Sequence, residues 1–335
     1  MTCGSMTELV AIPSGKNQLT GIVHLPAAVQ GPRIGILIPC TNIPPKFGPH
    51  RLFWSVAEAT SQAGFYALRY DNRGTDDSPG VHDNLTFADR VTDARTAMGF
   101  FRRQYSLDVA VGWGLCGGAA VTLHAAASAR TAEMFDGLVL CNLLAAPSTV
   151  WDKRVGARIV KPGDVVRQIF LTGNLLRKLR QIPHKLDIYR KSVPKLVAGL
   201  LERFRRTDPE IPRMRAAIAS CGQLLYQFPR PCLLLFGEKD PALRLFREEV
   251  NPDDQLGLAK KAVPPECVLI SDGDHSFASR VQTEEVIRNT LGWLGQFSSD
   301  RPTGSRAPSP GERVGSPAPS VCYVTENGGV FKKLA

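Results

Sequence analysis

The chain has 335 residues, 43% hydrophobic and 21% charged, with 41 Lys+Arg against 31 Asp+Glu. This excludes a disordered protein, because a chain of this length and apolar content can bury about three-quarters of its unfolded surface. No apolar run approaches the ~20 residues of a membrane helix, and the N-terminal MTCGSMTELV has no basic stretch leading into an apolar one, so a cytoplasmic protein is expected. The eight cysteines are too sparse for a disulfide scaffold and form no CxxC pair, so no metal site is expected. Most sit in apolar runs and read as small buried hydrophobes of a reducing compartment.

In chain order, QLTGIVHLP, RIGILIPC, FYALRYD, LDVAVGWGL, DGLVLCN, PCLLLFG and CVLISDG read as strands. Several are apolar at nearly every position, as strands buried on both faces of a parallel sheet are. Helical spacing fills the intervals: residues 50–63, ending at Gly64 as a C-cap; residues 86–104, with Thr86 as N-cap; and residues 117–130 after a Gly-rich turn. The alternation predicts a doubly wound, mostly parallel α/β sheet of about eight strands. Residues 8–145 form its N-terminal part and 225–297 its C-terminal part.

Between them, 146–224 has helical spacing, six prolines and no clear strand, and is expected to be a helical insertion. Residues 151–220 hold 17 Lys+Arg against 6 Asp+Glu, a net +11 where the whole chain is +10. The insertion thus carries the net charge of the protein. Residues 298–320 are rich in Pro, Ser and Gly and read as a disordered linker. The tail 321–335 regains apolar character.

The segment that carries chemistry is Gly112-Trp113-Gly114-Leu115-Cys116-Gly117-Gly118-Ala119, directly after the strand LDVAV. A nucleophile flanked two residues away by small residues, at a strand-to-helix junction, is a nucleophile elbow. The turn is so tight that positions 114 and 118 must be small for strand and helix to approach. The helix N-terminus then favours a thiolate and an oxyanion. Asp240 follows the strand PCLLLFG and His275 follows CVLISDG, which gives the chain order nucleophile, acid, base. In this reading His275 takes the thiol proton, Asp240 holds its tautomer, and Cys116 attacks an acyl carbonyl. Backbone N–H groups of Gly117 and of Cys40 or Thr41 would form the oxyanion hole. Asp272 and Asp274 are rival acids with poorer geometry. His24, His50, His82, His124 and His184 have no evident partner, His50 standing out because its loop follows RIGILIPC.

The segments 47–80, 112–119, Phe236-Gly-Glu-Lys-Asp240 and Gly273-Asp-His-Ser-Phe277 together resemble the α/β-hydrolase superfamily over about residues 8–297. The local resemblance is to exosortase-system-associated hydrolases, which share the Gly-x-His-Arg segment, the Leu-Arg-Tyr/Phe-Asp-x-Arg-Gly strand end and a Gly-Leu-Cys elbow. Their pattern Arg-Gly-x-Gly-Asp-Ser reads Arg73-Gly74-Thr75-Asp76-Asp77-Ser78 here, so a reshaped loop is expected where Asp76 replaces glycine. The GxCxGG box is also similar to that of polyhydroxyalkanoate synthases, and dienelactone hydrolases likewise use cysteine. The resemblance implies that residues 146–224 form a cap over the active site.

The expected activity is acyl transfer from an ester or thioester through an acyl-cysteine, as thioesterase or acyltransferase, with no cofactor. A simple carboxylesterase or lactone hydrolase, a polyester-synthase-like polymerase and a non-catalytic binding protein are the alternatives. The basic cap suits an anionic donor such as acyl-CoA or an acyl-carrier protein. Leu-Arg-Lys-Leu-Arg at 176–180 also fits a helix touching a membrane surface. Nucleic acid is not expected as a partner, since Phe170, Tyr189 and Phe204 are the sole aromatics of 152–220.

Overall fold

The computed structural model describes residues 6–15, 17–29, 31–40, 46–81, 85–127, 132–143, 216–217, 219–251 and 254–298. The expected cap, the linker, the tail and Thr41 therefore lie outside the described residues, apart from the last stretch of the 146–224 segment.

Eight strands form one sheet: β1 (Met6–Ser14), β2 (Asn17–Leu25), β3 (Ile34–Cys40), β4 (Tyr66–Asp71), β5 (Val109–Leu115), β6 (Gly137–Cys141), β7 (Cys232–Gly237) and β8 (Glu266–Ile270). Their order is β1-β2-β4-β3-β5-β6-β7-β8. β1 and β2 form an antiparallel hairpin, β2 lies antiparallel to β4, and the other pairs are parallel. This is the α/β-hydrolase fold. Seven of its strands match the apolar runs of the sequence. β1 does not, because its outer half is exposed and lacks such a run, with Met6 and Leu9 open to solvent.

Two layers of helix cover the sheet. The cluster on one face includes Leu52, Phe53 and Val56 of α1 (Leu52–Gln62) with Val286, Trp293 and Leu294 of α6 (Arg280–Leu294), packed on Ile36, Ile38, Val111, Trp113, Val139 and Leu235. The other face gathers α2 (Phe87–Gln104), α3 (Gly117–Ala126) and α4 (Cys221–Gln227) on Leu37, Leu68, Ala110, Leu138 and Leu234. Because Cys221 and Leu225 of α4 belong to this cluster, the core resumes before the boundary at 225 read from the sequence.

The helix ends follow local chemistry. Thr86 and Asp89 form a reciprocal capping box at α2. Gly64 takes φ 90° after α1, the left-handed value that stops a helix. From β3 the chain winds out through α1 to β4, then returns through α2 to β5 and continues in the opposite direction. The carboxyl ends of β3 and β5 thus flank the point where the strand order reverses, which is where open α/β sheets bind ligands.

A buried polar network ties the loop before α1 to the end of β4. Lys46 is 5% exposed and its Nζ donates to Asp71 (2.7 Å), Asp76 (2.8 Å) and Asp77 (2.5 Å). Burial opposes the charge on Lys46, but these three hydrogen bonds hold its ammonium above the ordinary lysine value. Asp76 adopts φ 44°, a left-handed conformation that aspartate tolerates. Arg69 donates to the Lys46 carbonyl and to Nε2 of His24 (3.1 Å). A guanidinium cannot accept, so Nε2 is the acceptor and Nδ1 carries the proton toward Glu58 (3.3 Å). Burial, reinforced by Arg69, pushes His24 down to about 4 and keeps it neutral.

Replacing Lys46 removes the counter-charge of a carboxylate that is itself 1% exposed. Lys46→Met is expected to lose about 3–5 kcal/mol at pH 8 by urea unfolding. Adding Asp71→Asn to that variant is expected to recover part of the loss, since it removes the uncompensated charge.

Candidate active site

The site begins with steric thinning of β5. Residues 111, 113 and 115 are Val, Trp and Leu and pack on the α1–α6 side, with Trp113 edge-on to Phe53 at 5.7 Å. Residues 110, 112 and 114 are Ala, Gly and Gly and face α3. A Cβ on Gly112 would stand 2.4 Å from Thr122 Cγ2, and one on Gly114 would stand 2.6 Å from the Gly118 carbonyl oxygen and 2.7 Å from Ala119 Cα. The helix is equally lean there, with Gly118, Ala119 and Ala120 all buried. The chain must turn from strand to helix in one residue, and Cys116 makes the turn at φ 55°, ψ −118° as the N-cap of α3. Its N–H donates to the Cys141 carbonyl at 2.9 Å. The amide of Gly117 opens the helix and is among the first-turn N–H groups that have no acceptor within it. The Cys116 side chain is partly exposed, whereas the five other described cysteines are buried.

β7 and β8 deliver the other two groups. Asp240 N-caps α5 (Pro241–Leu245) and its two oxygens divide the work. Oδ1 accepts from the Ala242 N–H at 2.6 Å and Oδ2 meets His275 Nδ1 at 2.5 Å. Pro241 suits the first helical position because its missing N–H is not needed there. Asp240 is 3% exposed, so its charge is sealed against the imidazole. His275 is pushed up to about 10, first by the hydrogen bond to Asp240 and then by the Cys116 thiol near it, with burial opposing. His275 therefore bonds Asp240 on one side and has the Cys116 thiol near it.

The rival acids are engaged elsewhere. Asp274 accepts from the N–H groups of Ser276 (2.8 Å) and Ala278 (3.2 Å), and Asp272 pairs with Lys239 at 2.9 Å. Cys40 ends β3 beside Asp71 and is 2% exposed, with its thiol turned back to the Ile38 carbonyl and pushed up by burial. Its own carbonyl accepts from Asn72 Nδ2 at 3.1 Å. Of the remaining histidines, His124 bonds the Ala217 carbonyl at 2.8 Å and His50 is exposed; His82 and His184 lie outside the described residues. Among the described residues, Asp71, Asp76 and Asp77 have oxygens close enough to share a cation. The Lys46 ammonium bridges all three.

One buried residue at the site went unnoticed in the sequence. Asn142, immediately after β6, accepts from the Gly237 N–H at 2.8 Å and donates to the carbonyls of Asp274 (3.2 Å) and His275 (3.0 Å). The signal available was an asparagine closing an apolar strand, since Asn tolerates the left-handed φ of 44° found there.

The alpha/beta hydrolase family profile matches residues 36–288. The chain belongs to the alpha/beta hydrolase family. A search of curated protein sequences returns no match. Among solved structures the fold is similar to Est1E from Butyrivibrio proteoclasticus with ferulic acid bound, at 17% identity and TM-score 0.52, covering 85% of this chain and 99% of that one. It is also similar to dienelactone hydrolase from Anabaena variabilis, at 14% identity and TM-score 0.53, covering 88% and 99%. The α/β hydrolase GrgF from Penicillium sp. matches at 18% identity and TM-score 0.52, covering 88% and 100%. Among the described residues, no helix is long and apolar enough to cross a membrane.

Asp240→Asn keeps the cap on Ala242 but presents an amide where the imidazole needs a carboxylate. His275 is expected to titrate well below about 10 and toward 6.5 in this variant, followed by NMR of labelled histidine. A folded-state value raised above the unfolded one stabilises fully below pH 6.5 and fades as pH climbs through about 10. The melting-temperature advantage of wild type over Asp240→Asn should therefore narrow across that window.

Proposed function

We propose that this protein is an acyl-transfer enzyme in which Cys116 is the nucleophile, His275 the acid–base and Asp240 the orienting acid, acting on an ester or thioester. The observation that carries the reading is the grouping of the Cys116 thiol with a His275 that is hydrogen-bonded to Asp240 at 2.5 Å, the cysteine standing at the N-terminus of α3.

The chemistry follows from that grouping. His275 holds the proton given up by the Cys116 thiol, and the imidazolium is stabilised by Asp240. The sulfur attacks the acyl carbonyl carbon, and the C=O electron pair moves onto oxygen. That oxyanion is held by the Gly117 N–H, by a second backbone N–H at Cys40 or Thr41, and by the positive end of α3. Collapse of the tetrahedral adduct expels the alcohol or thiol, which takes its proton from His275, and leaves an acyl-cysteine. Neutral His275 then takes a proton from water or another acceptor as it attacks the thioester, and the thiol is restored.

Cysteine at the elbow favours thioester chemistry, because an acyl-cysteine is itself a thioester and stays open to alcohols and amines as well as water. The +11 net charge of residues 151–220 supports an anionic donor, acyl-CoA or an acyl-carrier protein, or contact with an anionic membrane surface. The protein is read as cytoplasmic.

Intact-protein mass spectrometry after brief incubation with acyl-CoA and acyl-N-acetylcysteamine thioesters tests the reading. Wild type should carry one acyl group, Cys116→Ala none, and His275→Ala should acylate about 10²–10⁴-fold more slowly. The lifetime of the adduct in water separates thioesterase from acyltransferase. Absence of any Cys116-dependent adduct or turnover, with simple esters included, would leave a binding protein on this fold.

A further inference from the structure

The Cys141–Asn142 pair at the end of β6 touches the segments that carry all three proposed catalytic groups. The Cys141 carbonyl accepts the Cys116 N–H at 2.9 Å, which fixes the backbone of the elbow. The Asn142 N–H continues the ladder into β7, donating to the Leu235 carbonyl at 2.8 Å. The Asn142 carboxamide then spans the two remaining loops. Its Oδ1 takes the Gly237 N–H, three residues before Asp240. Its Nδ2 donates to the carbonyls of Asp274 and His275. Asn142 is fully buried, so none of these bonds is shared with bulk water.

The two loops already press together as backbone. A Cβ on Gly237 would stand 2.5 Å from the Gly273 carbonyl oxygen, and the Lys239 N–H donates to that same oxygen at 2.9 Å. The same Cβ would stand 2.9 Å from the Asp274 carbonyl oxygen, so these contacts reach the histidine loop at residues 273 and 274. The carbonyl of His275 is the next along the chain. Among the described residues, Asn142 is the one side chain that donates to the carbonyls of 274 and 275. A carboxamide suits this task because it both donates and accepts; an aspartate of the same shape only accepts when ionised.

We propose that Asn142 is a positioning residue for the reaction above: its carboxamide holds the loops of Asp240 and His275 in register with the Cys116 elbow, so it sets the rate of the chemical step rather than substrate affinity. The inference rests on the Cys116–His275–Asp240 reading. It assigns to Asn142 no contact with the reacting atoms. A loosened register matters because displacement of a catalytic group by about 1 Å costs on the order of 10²-fold in rate.

The test uses the full-length protein with Asn142→Gly and Asn142→Asp. Glycine accepts the left-handed backbone and removes every side-chain bond. Aspartate keeps the Gly237 contact and loses the donation. The probes are p-nitrophenyl acetate turnover, iodoacetamide alkylation of Cys116 and NMR titration of His275, with circular dichroism to confirm the fold. The expected result is a kcat about 10–100-fold lower in both variants, KM within about two-fold of wild type, slower alkylation of Cys116, and a His275 titration moved toward the ordinary histidine value. If Asn142→Gly fails to fold, Asn142→Asp carries the test alone. Unchanged kcat and unchanged His275 titration in a folded variant would overturn the positioning role. So would a loss confined to KM. If His275→Ala leaves alkylation of Cys116 unchanged in an otherwise native chain, the triad itself fails and this inference falls with it, a result read without any Asn142 variant.

Discussion

The close approach of β5 and α3 is the constraint on which the rest of the molecule turns. One face of β5 is built from Val111, Trp113 and Leu115, and the other from Ala110, Gly112 and Gly114. A strand with that asymmetry can bring a helix against itself only on the bare side. The helix reciprocates with Gly118, Ala119 and Ala120. Once strand and helix are this close, the link between them shrinks to a single residue, and that residue takes a backbone conformation most side chains avoid. The backbone strain at Cys116 is therefore a product of packing several residues away, and the hydrogen bond from its N–H to β6 helps to retain it.

The sheet order then places the remaining groups. β6, β7 and β8 follow β5 outward in sequence, so the loops after them lie side by side at one edge. Buried polar atoms, rather than apolar ones, register those loops against each other. Asp240 divides its oxygens between α5 and His275, and Asn142 divides its amide between two loops. On the opposite side of β5 a second polar set, Lys46 with Asp71, Asp76 and Asp77, anchors the far end of the loop that leaves β3. The space above β3 and β5 is thus framed by two charged or polar clusters with different partners.

Much of this was legible in the amino-acid sequence, for definite reasons. Strands β3, β6 and β7 are buried at every position, and an apolar run records that directly. Thr86 announced α2 because a capping box is a local motif. Cys116, Asp240 and His275 stood out because each follows a strand in a known order. What escaped notice depends on long-range pairing. β1 is an edge strand with only part of one face buried, so no apolar run marks it. Lys46 and Asn142 are single polar residues whose partners lie 25 to 133 positions away, and no spacing rule connects them. Asp76 takes a left-handed turn, because aspartate tolerates that conformation and its carboxylate is engaged by Lys46.

Cys116 sits partly open at a helix N-terminus, while Cys40, Cys141, Cys221, Cys232 and Cys267 are buried with their thiols pushed up by burial. An oxidant approaching this part of the protein thus meets one accessible sulfur. A sulfenic acid formed there finds the other described thiols sealed in the core, so none of those five is open to it as a disulfide partner. A small thiol such as glutathione can cap such a sulfur before peroxide drives it on to the irreversible sulfinic acid. A serine in the same turn would face no such hazard; with sulfur there, the working life of the protein follows the redox state of its surroundings.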